Sequence, residues 1–472
     1  MTENFLTSLT CSGCGHIMPT EERYPFRCPK QADGDDIDHV LRETISSAAV
    51  GMSGLVDSEE SNPFLKYRKL FHVYQAARGW GLKDADYVAL VRELNGAVKS
   101  VDGKGFEETP FEPESQLAEA LHLERKSGLF VKDETGNVSG SHKARHLMGI
   151  MIWLQAVRRA FPKESEGVAP ILAIASCGNA ALAAAVVAKA AGRALDVFVP
   201  PSANPNVVRR LQALGARLVT CPRDTAVSGD PCYLRFKEAI RGGARPFTVQ
   251  GNENGLTISG GKTLAYEMAF RLRREGRSLD RILVHVGGGA LASAIIQGLH
   301  DMHVLGFLER LPRIHTVQTE GAYPLARAYK NLSDRILLRY PTKAEGNEKR
   351  SSFILSDVPK HIVTEELRFA ATHRSSFMWP WEKEPRSIAH GILDDETYDW
   401  FAVVEGMLRT GGFPLVVSEK QLQKANELSR EHTKVRADHT GTAGLAGLLE
   451  LQRTVRLRSD ETVAVLFTGA ER

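Results

Sequence analysis

The sequence has no strong charge of either sign: 60 Lys and Arg residues stand against 57 Asp and Glu in 472 residues, a net charge of +3. This balance gives no indication of a polyanionic partner such as nucleic acid. A long apolar run is also missing, because the most apolar stretch, residues 180–188, is followed by Lys189 and is too short to span a bilayer. With 43% apolar and 25% charged residues, the composition is that of an ordinary globular protein.

Cysteine is scarce, with six in the chain, and the N-terminal residues lack the basic start and apolar segment of a secretion signal. We therefore predict a cytoplasmic protein with reduced cysteines. Cys11, Cys14 and Cys28 follow the spacing with which a zinc ribbon begins, but no fourth ligand follows Cys28 and only His16 lies nearby. We interpret residues 1–35 as a degenerate zinc-ribbon-like segment without a metal. An intact zinc site completed by His16 is the alternative.

Hydrophobic periodicity predicts an α/β protein. Residues 36–125 have helical patterns, and from about residue 128 short apolar strands alternate with amphipathic helices. Such alternation requires crossover connections and therefore parallel sheets covered on both faces. We predict a helical N-terminal region over 36–125, one α/β domain over 126–260 and a second over 261–472. The polar stretch 335–400 is interpreted as an insertion or a loop.

Lys143 is the first candidate for chemistry. It follows small and polar residues in "VSGSHKAR" and opens a predicted amphipathic helix. The positive end of the helix dipole and partial desolvation both disfavour the ammonium form of a lysine at this position. A neutral amine is what a Schiff base with a carbonyl requires. A solvated lysine at a helix start is the simpler alternative.

Two turns between a predicted strand and a predicted helix are further candidates, because open α/β sheets bind ligands at the carboxyl ends of their strands. In "ASCGNAALAAA", small residues and free N–H groups could hold a carboxylate, although Ser176 or Asn179 could simply cap the helix. In "VGGGALASAI", residues 287–289 form a turn suited to a phosphate, or a plain tight turn. The G-x-G-x-x-G spacing is absent, which counts against a nucleotide-dependent oxidoreductase.

Taken in chain order, the motifs resemble the fold type II (tryptophan synthase β-like) family of pyridoxal-phosphate enzymes, and most closely its threonine synthase-like branch. They are "CSGCG", "ETPFEPESQLAEAL", "LFVKDETGNVSGSHKAR", "ASCGNAALAAA", "VQGNENGLTISGGKTLAYEM", "VGGGALASAI" and "LFTGAER". The resemblance implies two open, mostly parallel α/β domains with pyridoxal 5'-phosphate in the cleft between them. A homodimer is expected at the family level only.

The resemblance also implies a role for individual residues. Lys143 would be the Schiff-base lysine and the base at the substrate Cα. Cofactor contacts would come from Asn179 at the ring hydroxyl, Gly287, Gly288 and Gly289 at the phosphate, and Thr468 at the pyridine nitrogen. Substrate contacts would come from Ser141, His142, Ser176 and Gly178.

The predicted activity is that of a lyase or synthase acting on a small amino acid with a β- or γ-leaving group. The first hypothesis is a threonine synthase reaction, from O-phosphohomoserine and water to threonine and phosphate. The alternatives are β-replacement on O-phosphoserine, as in cysteate synthase, and ammonia release, as in serine and threonine dehydratases. A non-catalytic relative is a further alternative. A phosphorylated substrate needs a second anion site, for which Lys262, Thr263, Arg145 and His142 are candidates. His142, Ala144 and His146 depart from the usual family residues beside the lysine.

Overall fold

In the computed structural model, the described residues are 6–49, 52, 54–123, 128–163, 169–223, 229–340, 358–455 and 457–471. Their strands form a two-stranded hairpin, a four-stranded sheet and a six-stranded sheet. In chain order the strands are β1 Thr7–Cys11, β2 Leu41–Ile45, β3 Phe111–Pro113, β4 Gly128–Asp133, β5 Leu172–Ala175, β6 Leu195–Val199, β7 Arg217–Thr220, β8 Arg245–Pro246, β9 Arg281–His285, β10 Arg313–Thr319, β11 Pro414–Val417 and β12 Thr462–Phe467.

Both larger sheets are parallel or nearly so, as the alternating pattern predicts. The four-stranded sheet has the order β7-β6-β5-β8, and all its described pairs are parallel. The six-stranded sheet has the order β11-β10-β9-β12-β4-β3, and only the edge strand β3 is antiparallel. The residues of β9 are all buried, as expected for a strand covered by helices on both faces. The predicted α/β fold class is confirmed.

The two sheets do not divide the chain where the sequence pattern suggests. The strand β4 falls within the predicted N-terminal α/β domain, yet it pairs with β12 along its whole length, from Thr462 beside Gly128 to Phe467 beside Asp133. The first five residues of β4 are buried, as expected for a strand inside the larger sheet. The chain therefore leaves the six-stranded sheet at β4 and enters the four-stranded sheet only at β5. The helix between them begins with Lys143.

The helices cover the sheets and the N-terminal hairpin. In chain order they are α1 Pro63–Lys66, α2 His72–Gly79, α3 Asp84–Asp102, α4 Ser115–Ala120, α5 Lys143–Ala160, α6 Asn179–Ala190, α7 Pro205–Ala213, α8 Pro231–Arg241, α9 Thr257–Gly261, α10 Thr263–Arg274, α11 Ala290–Val304, α12 Pro324–Arg339, α13 Lys360–Thr372, α14 Trp400–Thr410, α15 Glu419–His432 and α16 Ala443–Thr454. Within the described ranges, no helix is both long and apolar enough to cross a membrane.

The helix boundaries follow local chemistry. At α7, the side chain of Asn204 accepts the backbone N–H of Asn206 at 2.8 Å, Pro205 opens the first turn, and Gly215 follows the helix with φ +84°. The stretch 335–400 differs from the loop expected for it, because α13 lies inside it and buries an apolar face. Residues 341–357 of that stretch lie outside the described part of the chain.

Candidate active site

Lys143 lies at the first position of α5, and two residues separate it from a short 3-10 helix at Val138–Gly140. Its side chain is only partly buried, so the lysine is accessible to a ligand. Burial lowers its pKa, while the carboxylates of Asp394 and Asp399 act in the opposite direction. A lowered pKa increases the fraction of neutral amine, which is the nucleophilic and basic form. The structure thus gives this lysine the environment that the helix-start argument predicts.

Three histidines surround Lys143. The His142 ring lies 5.8 Å from that of His146 and 6.3 Å from that of His285, both edge to face. Burial and the nearby Lys143 lower the pKa of His146 and of His285 to about 3, and hold the pKa of His142 well below its ordinary range. All three rings are therefore neutral at physiological pH. They supply hydrogen-bonding groups beside the lysine without adding positive charge.

Thr468 follows β12, at the carboxyl edge of the six-stranded sheet. Its hydroxyl lies 2.8 Å from Nε2 of His285, and its carbonyl accepts the backbone N–H of His142 at 3.3 Å. Ser141, the residue before His142, forms an isolated β-bridge with Gly469. The end of β12 and the start of α5 are consequently held side by side. Thr468, His285 and Lys143 therefore belong to one site.

The turn after β5 lies close to the residues that follow β12. Ser176, Gly178 and Asn179 are partly exposed, and Asn179 is the first residue of α6. Neither Ser176 nor Asn179 makes a side-chain capping bond to α6, so the capping alternative is not what the structure shows. A Cβ added to Gly469 would lie 3.1 Å from the side-chain nitrogen of Asn179. This closeness brings the four-stranded sheet's turn to the end of β12.

The glycine turn joins β9 to α11 and already holds an anion. Gly289 has φ +100°, a conformation that favours glycine. The N–H of Gly288 donates to the carboxylate of Asp394, and a Cβ added to Gly287 would overlap that carboxylate. Burial raises the pKa of Asp394 to about 6. The turn can therefore bind a phosphate only if Asp394 moves aside.

Asp399 is a second carboxyl group that the sequence motifs do not reveal. It is buried, its Oδ2 accepts the N–H of Gly251 at 3.3 Å, and its Oδ1 has no hydrogen-bond partner. Burial raises its pKa to about 7. Both aspartates come from the irregular stretch before α14, more than 250 residues after Lys143, and no motif marks either one. A carboxyl group that is partly protonated at neutral pH therefore acts on the lysine.

The cationic residues suggested for a substrate phosphate are used inside the protein. Lys262 is fully buried and donates to Glu43 at 2.7 Å and to Asp301 at 2.8 Å. Arg145 is also fully buried. It donates to Glu134 and Glu267, and at 2.9 Å to the hydroxyl of Thr263. Both charges are neutralised by their partners, so the structure corrects the expectation that Lys262, Thr263 and Arg145 form a substrate-phosphate site. His142 is neutral and offers no positive charge.

The N-terminal cysteines come together with a histidine other than the one expected. Cys11, Cys14 and Cys28 group with His39, whereas the sequence pattern suggested His16. His39 lies directly before β2, which pairs antiparallel with β1 and so returns the chain to Cys11 at the end of that strand. Pairing across a hairpin is not visible in local spacing, which explains why the sequence pattern missed it.

The chain is similar to known proteins in sequence and in fold. The family model described as "Pyridoxal-phosphate dependent enzyme" matches residues 104–469. An L-serine dehydratase from Saccharomyces cerevisiae (strain YJM789) is 29% identical over 211 residues, which span 43% of this chain and 60% of the relative, less than two thirds of its length. A threonine synthase from Methanocaldococcus jannaschii is 22% identical over 353 residues, or 74% of this chain and 72% of the relative. The fold is similar to that of a threonine deaminase from T.th., with a TM-score of 0.54 and 21% identity over 81% of this chain and 98% of that one.

Proposed function

The chain belongs to the family of pyridoxal-phosphate-dependent enzymes. From this premise we propose that it is a lyase that releases ammonia from a β-hydroxy amino acid such as L-serine or L-threonine. The observation that carries the proposal is the charge around Lys143. The charged groups that act on this lysine are the carboxylates of Asp394 and Asp399, while Lys262 and Arg145 are consumed by internal ion pairs. A neutral hydroxyl leaving group suits such a site better than a phosphate.

The residues present fit the cofactor. Several buried polar atoms at the site have no hydrogen-bond partner, and a polar ligand in the cleft would satisfy them: Ser141 Oγ, both ring nitrogens of His142, His285 Nδ1 and Asp399 Oδ1. The glycine turn accepts an anion, as the bond from Gly288 to a carboxylate indicates. We assign covalent attachment to Lys143, phosphate binding to Gly287, Gly288 and Gly289, and ring contacts to Asn179 and Thr468. When bound, the cofactor supplies the electron sink that makes the substrate Cα proton acidic.

The remaining chemistry belongs to the chain itself. The turn at Ser176 and Gly178, with Ser141, would orient the substrate carboxylate. Once the substrate's amino group has displaced it, the neutral amine of Lys143 would take the proton from Cα. The Cβ–O bond then breaks, and Asp399 would donate a proton so that the hydroxyl leaves as water; its pKa of about 7 suits this role. The released enamine takes up water and yields a 2-oxo acid and ammonia.

The proposal is tested by supplying substrates that differ in their leaving group. With L-serine or L-threonine, the protein should form one ammonia for each 2-oxo acid. Asp399→Asn should lower kcat for this reaction by about 100-fold or more because the general acid is lost. The matched control is Asp395→Asn, which removes a neighbouring carboxyl group outside the contacts described for the turn. Release of phosphate from O-phosphohomoserine, without ammonia release from L-serine or L-threonine, would refute the proposal.

A threonine synthase reaction is the second candidate. It is supported by the length of the match to the archaeal threonine synthase, which covers 74% of this chain. This candidate predicts threonine and phosphate as products from O-phosphohomoserine. O-phosphoserine with sulfite should be assayed in parallel, because phosphate release there would instead support the cysteate synthase alternative.

A further inference from the structure

Four potential metal ligands converge in the N-terminal segment. The ligand atoms of Cys11, Cys14, Cys28 and His39 all lie within 4.8 Å of one another. Sγ of Cys14 lies 3.6 Å from Sγ of Cys28, and Sγ of Cys11 lies 3.3 Å from Nδ1 of His39. Tetrahedral zinc, with Zn–S near 2.3 Å and Zn–N near 2.0 Å, separates two sulfurs by about 3.8 Å and a sulfur from a nitrogen by about 3.5 Å. The observed Sγ–Sγ and Sγ–Nδ1 distances are close to these values.

Backbone N–H groups are directed at the sulfurs of all three cysteines, although burial raises the pKa of the Cys11 and Cys28 thiols. Sγ of Cys11 accepts the N–H groups of Gly13 and Cys14, Sγ of Cys14 accepts that of His16, and Sγ of Cys28 accepts that of Lys30. Donors directed at a sulfur favour its anionic form, which is the form that binds metals. All three cysteines are free thiols, although two of their sulfurs are only 3.6 Å apart. All three sulfurs are therefore available as metal ligands.

The histidine is held for coordination through Nδ1. Its other ring nitrogen, Nε2, lies 3.2 Å from the carboxylate of Asp35. Asp35 is itself fixed, since it accepts the backbone N–H groups of Ala32 at 2.7 Å and Ile37 at 3.2 Å. A carboxylate on the second nitrogen sets the tautomer of a metal-binding histidine and strengthens its basicity. This outer contact is independent of the four ligands and indicates the same site.

We propose that Cys11, Cys14, Cys28 and His39 bind one zinc ion, oriented by Asp35. Four protein ligands close the tetrahedron and leave no position for water or substrate, so the role is structural. The sequence predicts a degenerate ribbon without metal because no fourth ligand lies near Cys28. The hairpin of β1 and β2 supplies it from His39 instead.

Zinc binding would stabilise the packing of the β1–β2 hairpin against α14, the helix that follows Asp399. Next to His39, the N–H of Asp38 donates to the carbonyl of Ala371 at 2.8 Å. The indole of Trp400, the first residue of α14, donates to the carboxylate of Asp38 at 3.1 Å. Because Trp400 directly follows Asp399, zinc binding at Cys11 and His39 would steady the backbone on which the candidate acid lies. We therefore expect zinc removal to lower thermal stability as well as activity.

The test is the metal content of the full-length protein. Purified from zinc-supplemented cells and dialysed, the wild type should retain one zinc per chain, and so should the control His16→Gln. Cys14→Ser and His39→Ala should retain little, and Asp35→Asn should bind zinc about 10- to 100-fold more weakly. Since ligand variants could misfold, cobalt(II) added to the metal-stripped wild type gives a second readout. It should produce the visible bands of a tetrahedral site and thiolate charge-transfer absorption. No retained zinc and no such absorption would overturn the proposal, as would equal zinc retention by wild type and His39→Ala.

Discussion

Removing the charge of Asp394 should strengthen cofactor binding. The carboxylate of this residue accepts the N–H of Gly288, one of the groups assigned to the cofactor phosphate. With a pKa raised to about 6, it is mostly ionised at pH 7.5. A phosphate entering the turn must displace one anion and then lie near it. Asp394→Asn keeps the size of the side chain and removes the charge, so the competition should weaken.

The size of the effect follows from Coulomb's law. Two unit charges about 5 Å apart in an environment of effective dielectric constant near 20 repel by about 3 kcal/mol. Asp394 is partly exposed and can move away, so we expect about half of this repulsion to be expressed. A gain of about 1.4–2 kcal/mol corresponds to a Kd for pyridoxal 5'-phosphate that is about 10- to 30-fold lower.

The assay is a titration of the cofactor-free protein, followed by tryptophan fluorescence, at pH 5.5 and 7.5. Protonation of Asp394 below pH 6 removes the competing charge. The advantage of Asp394→Asn over the wild type should therefore shrink as the pH falls. Phosphate ionisation affects both proteins alike and cancels in this comparison, and Asp395→Asn is the matched control. Loss of the Asp394 charge also lowers the pKa of Lys143, which favours the neutral amine and acts in the same direction. An unchanged or weaker affinity in Asp394→Asn at pH 7.5 would refute the reasoning.

Three further predictions concern the glycine turn and the two buried charges. Gly287→Ala should weaken cofactor binding by about 10-fold or more in the same titration, because the added Cβ would overlap the backbone of Ile392; unaltered binding would contradict the phosphate assignment. Folding raises the pKa of Asp399 from 3.8 to about 7. The folded protein therefore gains stability from the protonated carboxyl group at low pH, and this gain is lost as the pH rises through 7. Asp399→Asn should therefore raise the free energy of unfolding at pH 8 by up to about 4 kcal/mol, and little at pH 4. Arg145→Leu should lower stability in urea by about 3–5 kcal/mol, because it leaves the buried Glu134 without its ion-pair partner and leaves Glu267 with Lys132 alone. If Arg145→Leu had normal stability and lost only its activity on phosphorylated substrates, Arg145 would instead belong to a phosphate site.

Local sequence signals predict the fold class and much of the candidate site. Lys143 could be found because a helix start is marked by its own neighbours, and residues 287–289 because a glycine turn between strand and helix is contiguous in sequence. Each of these features is determined by a few adjacent residues. The resemblance then identified Thr468, which lies at the end of β12 as the motif order suggests.

Long-range pairings could not be predicted in the same way. Asp394 and Asp399 reach the glycine turn from a stretch without a motif, and only the fold brings them there. The ion pairs of Lys262 with Glu43 and Asp301 join residues as many as 219 positions apart. Sequence periodicity does not reveal an ion-pair partner so far along the chain. A lysine that could bind a substrate, judged from the sequence, can therefore be neutralised by a carboxylate in the fold. His39 was missed for the same reason.

The central claim is that Lys143 carries the cofactor, and borohydride reduction followed by peptide mapping tests it most directly. The protein is saturated with pyridoxal 5'-phosphate, reduced and digested, and every lysine peptide is searched for the added pyridoxyl group by mass spectrometry. Our account predicts that the modification lies on the peptide containing Lys143, and that Lys143→Ala abolishes it without changing the fold seen by circular dichroism. An unmodified Lys143 peptide, or a label on another lysine at full occupancy, would contradict the account.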